Sequence, residues 1–137
     1  MNGLRGNLPF GPITCAEDAS YTSTNGVMIG PCDPKQVDPA AYDGKCFEPP
    51  LTLKGDFARS YFYLSTAYWN KWACCDGDAN NGSDIKPWLE QVLRAWHELD
   101  PVDDAERARN DLIYKSYQNN RNPFIDYPEF VAQISDF

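Results

Sequence analysis

Apolar residues in the middle of the chain recur every three or four positions. Phe57, Tyr61, Leu64 and Tyr68, with Ala58, Phe62 and Trp69 beside them, predict a helix over about residues 55–70 with a wide apolar stripe. Asp56 places negative charge in its first turn, where the helix dipole favours it. A second helix is predicted over about residues 86–99. Ser83 or Asp84 is its candidate cap, Pro87 suits its first turn, and Trp88, Leu89, Val92, Leu93 and Trp96 form its buried face. Asp103-Asp104-Ala105-Glu106 reads as a capping box opening a third helix over about residues 104–118, with Ala108, Leu112 and Ile113 inward. Asn119 and Asn120 end it, because asparagine tolerates the left-handed cap conformation. Asp126 is the expected cap of a short last helix, with Pro128 in its first turn and Phe130, Val131 and Ile134 packing back. The most buried side chains are expected to be Phe57, Tyr61, Trp88, Val92, Trp96 and Leu112.

Residues 1–53 behave differently. They are rich in Gly, Pro, Asp, Ser and Thr, and no helical period lasts beyond a turn. Irregular chain is expected, with one or two short strands at most, for example around Val27, Met28 and Ile29. Such a stretch needs support, and Cys15, Cys32 and Cys46 are placed to supply it. Cys74 and Cys75 complete the five cysteines. No Cys-x-x-Cys pair or histidine-rich partner accompanies them, so disulfides in an oxidising compartment are the expected chemistry, with one thiol left over. The whole reads as a single mainly α domain over residues 1–137, of α+β type: an irregular, disulfide-tied first third, three main helices and a short C-terminal helix.

Composition narrows this further. At 137 residues the chain can bury a sizeable core, and 14% aromatic content argues against disorder. No apolar run approaches the roughly 20 residues that span a membrane, so no membrane partner is expected. The first residues are polar and glycine-rich, unlike a signal peptide. A net charge of −8 argues against nucleic acid as a partner, unless a bound cation or a local basic strip makes the contact. Arg94, Arg107, Arg109, Lys115 and Arg121 are the candidates for such a strip. The alternative is that they pair with Glu98, Asp104, Glu106 and Asp111 on neighbouring turns. Residues 76–84 begin like a calcium loop, Asp76-x-Asp78-x-Asn80, making Ca2+ a candidate ligand there. Glycine then falls one place late and the twelfth position is Pro87 rather than Glu, so a solvated loop is the preferred reading.

One string obeys no secondary-structure period: Gln118-Asn119-Asn120-Arg121-Asn122-Pro123-Phe124-Ile125-Asp126-Tyr127-Pro128-Glu129. It resembles the C-terminal signature of the bacterial endonuclease I family, metal-dependent secreted and periplasmic nucleases of the ββα-metal (His-Me finger) class. Trp96-His97-Glu98-Leu99-Asp100-Pro101 is similar to that family's Trp-His-x-x-Asp-Pro segment. Lys54-Gly55-Asp56-Phe57-Ala58-Arg59 is similar to its Gly-Asp-x-Ala-Arg helix, and Phe47-Glu48-Pro49-Pro50 to the segment before it. Asn2-Gly3-Leu4-Arg5-Gly6-Asn7 resembles its Asn-x-x-Arg-x-Asn turn. The likeness is weak over residues 11–46 and 71–86.

The resemblance implies sequence-nonspecific hydrolysis of phosphodiester bonds in DNA or RNA, one divalent cation (Mg2+), a secreted or periplasmic location, and a monomer. It implies Asn2 as a metal ligand. Arg5 and Asn7 are implied as phosphate contacts, or else as residues that tie the turn down. Asn120, Arg121 and Asn122 either contact substrate or satisfy backbone groups in a turn. The family's general-base histidine sits on a β-hairpin beside an acidic metal ligand, upstream of the Asn-x-x-Arg turn, and has no counterpart in this sequence. His97 is expected to be structural, as is Arg59. No catalytic residue is therefore assigned. The chain is expected to be the C-terminal portion of a ββα-metal nuclease domain, inactive as it stands. A non-catalytic secreted interaction or calcium-binding module is the alternative.

Overall fold

The computed structural model describes residues 2–69, 71 and 77–137, without the side chains of Asn2 and Leu4. The expected disulfide partners Cys74 and Cys75, and the Asp76 that opens the candidate calcium loop, lie outside the described residues. Four elements form the first third: a helical turn α1 (Asn2–Arg5) and strands β1 (Tyr21–Thr22), β2 (Met28–Pro31) and β3 (Lys45–Glu48). The strands make one antiparallel sheet in the order β1-β2-β3, with Ile29 opposite both Tyr21 and Phe47. This is more regular than the sequence suggested. The strands are too short to show alternation, and their partners are distant in sequence.

The Cys32–Cys46 disulfide, 14 positions apart, links the chain just after β2 to β3. Closing a loop of that length contributes on the order of 3 kcal/mol, mainly by restricting the unfolded chain. Gly11 is needed beside it, because a Cβ there would collide with the Cys46 sulfur. Cys15 is free and exposed.

A single 3-10 turn (Leu51–Leu53) leads into α2 (Lys54–Ala67), which packs lengthwise on α3 (Pro87–Leu99). Both helices lie within one or two residues of expectation at most ends, although α2 stops three residues early. Trp88, Leu89, Val92, Leu93 and Trp96 are all buried, as the period of α3 required. The helix starts without a side-chain cap: Lys86 occupies the N-cap position, and Asp84 belongs to a strand instead. Residues 80–85 form a hairpin, β4 (Asn80–Asn81) with β5 (Asp84–Ile85). Its turn needs the positive φ of Gly82, 60°, which glycine adopts without a Cβ penalty. Asn80 Nδ2 helps to close it by donating to the Gly82 carbonyl.

On α2 the wide apolar stripe divides. Ala58, Arg59, Phe62 and Ser65 face the core, whereas Phe57 and Tyr61 are only half-buried and flank it. α4 (Asp104–Ile113) departs further. Its buried residues are Glu106 and Asn110, while Ala108 is exposed, Ile113 half-buried and Leu112 54% exposed. The expected inward positions thus fell on the wrong face. An apolar stripe is a guide only where the helix rests on apolar partners, and α4 rests on a buried guanidinium and an asparagine-rich turn. The helix also changes hydrogen-bonding pattern, continuing as a π-helical turn (Tyr114–Gln118) rather than running intact to residue 118.

Asn119 then adopts the left-handed conformation expected of a C-cap, φ 52°. The last segment is α5 (Pro123–Asp126) followed by a 3-10 helix (Pro128–Gln133). Asn122 caps α5, accepting from Phe124 N at 3.0 Å, whereas the 3-10 helix starts at Tyr127 without a side-chain cap and Asp126, its expected cap, ends α5. Val131 packs into the core, Ile134 packs against it, and Phe130 stays partly exposed. Phe137 stacks on Phe62 at 4.2 Å and meets Phe124 edge-on.

Candidate nucleic-acid interface

Two polar assemblies account for most of the distinctive sequence. The first is centred on Arg59, whose side chain is completely buried. Its Nε and Nη2 donate to the two Glu106 carboxylate oxygens at 2.9 and 2.6 Å, and Nη1 donates to the Asp100 carbonyl at 2.9 Å. Gly55 N donates to Asp100 Oδ2 at 2.9 Å. A Cβ on Gly55 would collide with the Asp100 carbonyl, so the Gly-Asp-x-Ala-Arg spacing is a packing requirement. Only half of the capping box forms. Asp103 Oδ1 accepts from Glu106 N at 2.8 Å, but the Glu106 carboxylate turns to Arg59, because a buried cation binds it more strongly than one amide does.

His97 joins this assembly. Its Nδ1 lies 3.4 Å from Arg59 Nη1, which can only donate, so Nδ1 is the unprotonated acceptor of a neutral ring. Burial, and then the charge of Arg59, push the imidazole pKa below its usual range. The sole histidine of the sequence is thus buried against the Arg59 assembly through Nδ1.

The second assembly is the asparagine-arginine turn. Arg121 grips Asp126 with Nε and Nη2, both at 2.7 Å, and Asp111 with Nη1 at 2.5 Å. These hydrogen bonds lower both carboxyl pKa values and raise that of the guanidinium. Asn122 Nδ2 donates to the Arg59 carbonyl at 2.9 Å, which ties the turn to α2. Asn110 Oδ1 accepts from Asn122 N at 3.0 Å. Asn120 Nδ2 donates to the Tyr63 hydroxyl at 2.6 Å on the exposed side. Arg121 and Asn122 are therefore held internally, and Asn120 faces a groove.

Four of the five cations expected to form a basic strip in the C-terminal third are paired with carboxylates. Arg94 pairs with Glu90, Arg109 with Asp56, Lys115 with Asp111, and Arg121 with Asp111 and Asp126. Arg107 donates to the Ile125 carbonyl at 3.4 Å instead. Several of the actual carboxylate partners differ from those expected, since Glu90, Asp56 and Asp126 come from another turn or another element.

Arg5 stands apart. Its Nε donates to the Leu8 carbonyl at 3.1 Å, which ties down the turn, and the guanidinium lies over the Phe10 ring at 4.5 Å. Among the described residues it forms no ion pair. It forms one wall of a cavity of about 230 Å³ that Phe10, Phe47, Pro49, Leu53 and Phe57 also line. Leu53 and Phe57 continue into a second hollow with Ser60 and Arg109. Those last two residues also line a third, which contains Tyr63, Gln118, Asn120 and Asn122. The three hollows are neighbours along the outer edge of α2, each sharing two lining residues with the next. They bring Arg5 and Asn120 onto one surface, although the two are far apart in sequence. Asn7 is exposed on the turn after α1, and the Asn2 side chain lies outside the described residues.

Among the described residues, no group of three or more His, Cys, Asp or Glu side chains could hold a metal ion. The turn that carries Asn2 contains no carboxylate between residues 1 and 10. A lone neutral amide oxygen does not hold Mg2+, which is normally bound through carboxylates. The residues present do not make a complete magnesium site.

The model of the Endonuclease I family matches residues 1–129. The chain belongs to the endonuclease I family. Among curated members, the extracellular ribonuclease of Bacillus amyloliquefaciens is 42% identical over 138 residues, covering 98% of this chain and 42% of that protein. The extracellular ribonuclease of Bacillus subtilis (strain 168) is 45% identical over 97 residues, covering 68% of this chain and 34% of that protein. The chain thus spans less than half the length of these endonuclease I relatives. No solved structure matches it. The motifs that carried the resemblance were informative about membership, but in this endonuclease I chain most of them do structural work. Sequence reading missed the Phe10–Phe57 cavity and the hollows beside it. Their only trace was the excess width of the α2 apolar stripe.

Proposed function

We propose that this chain is the substrate-binding portion of a secreted, metal-dependent, sequence-nonspecific endonuclease acting on RNA or DNA, and that it is inactive alone. The family match over residues 1–129 carries this reading, supported by relatives described as extracellular ribonucleases. The disulfide fits an oxidising location. Arg5 and Asn7 are the proposed phosphate contacts. The hydrogen bond of Arg5 to the Leu8 carbonyl uses only Nε, and Arg5 lacks a competing carboxylate among the described residues. Such contacts bind phosphate oxygens and carry no base information, which accords with nonspecific action. Asn2 is the proposed contribution to a magnesium site, whose carboxylate and general base no metal-binding cluster among the described residues provides. The chain is proposed to act as a monomer.

Phosphodiester hydrolysis needs a base to activate water, charge stabilisation on the phosphorane, and donors that position the phosphate. Only the third requirement has candidates here. Incubation with plasmid DNA or single-stranded RNA in Mg2+ is expected to give no cleavage above a buffer control. Weak, salt-sensitive binding is expected alongside, with Kd on the order of 10⁻⁴–10⁻⁶ M for nonspecific contacts. Magnesium-dependent cleavage that survives repurification would overturn the claim of inactivity. If His97→Ala then abolished the cleavage without unfolding the protein, the structural assignment of His97 would fall as well.

A further inference from the structure

We infer that the cavity between Arg5, Phe10 and Phe57 is a nucleobase subsite for single-stranded nucleic acid, and that the neighbouring hollows along α2 carry the strand away from it. The inference deepens the proposed function and rests on it. Three observations converge on a flat, apolar ligand attached to an anion. The cavity walls are apolar and aromatic: Phe57 presents a half-buried ring, Phe10 and Phe47, 4% and 7% exposed, back it, and Pro49 and Leu53 close the sides. The rings are already fixed against one another, with Phe10 4.7 Å from Phe57 and edge-on to Phe47 at 5.4 Å. Little ordering entropy remains to be lost when a planar ring enters.

Charge is the second observation. The one cation on the wall is Arg5, which lies over the Phe10 face and has no ion-pair partner among the described residues. In a chain of net charge −8, whose other arginines except Arg107 pair with carboxylates, an arginine without such a partner on the wall of an apolar cavity is placed to meet an anion. A base in the cavity would place its phosphate at the rim, within reach of the guanidinium. Every base has an apolar face, so stacking of this kind is sequence-tolerant.

The third observation is continuity. Phe57, Ser60 and Tyr63 follow one edge of α2, and three neighbouring hollows that share lining residues lie between the Arg5 cavity and Asn120 and Gln118. Paired bases in a duplex are stacked on one another and cannot enter a side cavity, so the ligand is single-stranded.

The test compares a short fluorescein-labelled single-stranded RNA with an oligonucleotide of the same length that has the sugar-phosphate backbone but no bases. Fluorescence anisotropy at low salt reads the affinity for the parent chain and for Phe57→Leu, which keeps the apolar volume and loses the ring. Circular dichroism checks that the variant is folded. The parent is expected to bind the base-containing strand about 5- to 150-fold more tightly, the range that corresponds to one stacked base. In Phe57→Leu most of that difference should vanish, while binding of the abasic strand stays unchanged. Equal binding of both strands by the parent would overturn the base subsite and leave nucleic-acid binding intact. A base-dependent gap that Phe57→Leu preserves would also overturn it, by placing base contact elsewhere. Failure of both strands to bind would remove the subsite together with the functional reading beneath it.

Discussion

Glu106→Ala is expected to destabilise the protein by about 3–5 kcal/mol, the usual cost of leaving one member of a buried ion pair alone. Arg59 and Glu106 are both fully buried and joined by two hydrogen bonds of 2.9 and 2.6 Å. Asp56 and Asp100 cannot replace the lost carboxylate. Asp56 Oδ1 is 3.7 Å from Nη2, too far for a hydrogen bond, and its Oδ2 pairs with Arg109, while Asp100 offers Arg59 its backbone carbonyl. Burial, and then the nearby Glu106 charge, raise the Asp56 carboxyl pKa, so Glu106→Ala should also bring that group back toward its ordinary range. The paired replacement Arg59→Met with Glu106→Leu should recover much of the loss, since it leaves neither charge behind. Urea unfolding reads both effects. A loss below about 1 kcal/mol for Glu106→Ala would mean that the guanidinium is solvated, contrary to its burial.

Trp96→Ala is the second large effect. The indole is 3% exposed, lies between α3 and α2, and has Lys54 Nζ 5.3 Å from its ring centroid. Truncation removes the transfer energy and leaves a cavity, together about 3–5 kcal/mol. For a domain of this size that is a fall in Tm on the order of 10–20 °C. A variant melting within a degree or two of the parent would show that the α2–α3 contact is not the centre of the core.

Much of this was legible in the sequence, for identifiable reasons. α3 rests on apolar partners, so its period located Trp88, Val92 and Trp96 correctly. The Asp103 cap and the left-handed Asn119 are local events, governed by side chains within three residues. α4 failed the same reading because its buried positions, Glu106 and Asn110, answer to Arg59 and Asn122 across 47 and 12 positions of sequence. No periodicity carries that information. In the first third the strand at Met28 and Ile29 was legible, but its pairing was not, since β2 and β3 pair across a loop of more than a dozen residues that the disulfide closes.

The candidate site was legible only as a set of unusual residues. Arg121, Asn122, Asn120 and Arg5 looked alike as polar side chains in turns. Partners brought in by the fold separate them. Arg121 is held by two carboxylates, Asn122 by the Arg59 carbonyl and Phe124 N, and Asn120 by Tyr63, whereas Arg5 is left over an aromatic cavity. That difference moves the proposed contact surface from the C-terminal signature to the N-terminal turn and the edge of α2.

Ultraviolet crosslinking of single-stranded RNA to the chain, followed by identification of the modified peptides, tests this placement most directly. Crosslinks are expected at Phe57, the half-buried ring of the Arg5 cavity. The most exposed aromatic residues lie elsewhere: Tyr117 at 78% and Tyr127 at 54% offer better access to any indiscriminate ligand. Crosslinks confined to Tyr117, Tyr127 or their neighbours Tyr114 and Phe130 would contradict the account, and would return the contact surface to the C-terminal third.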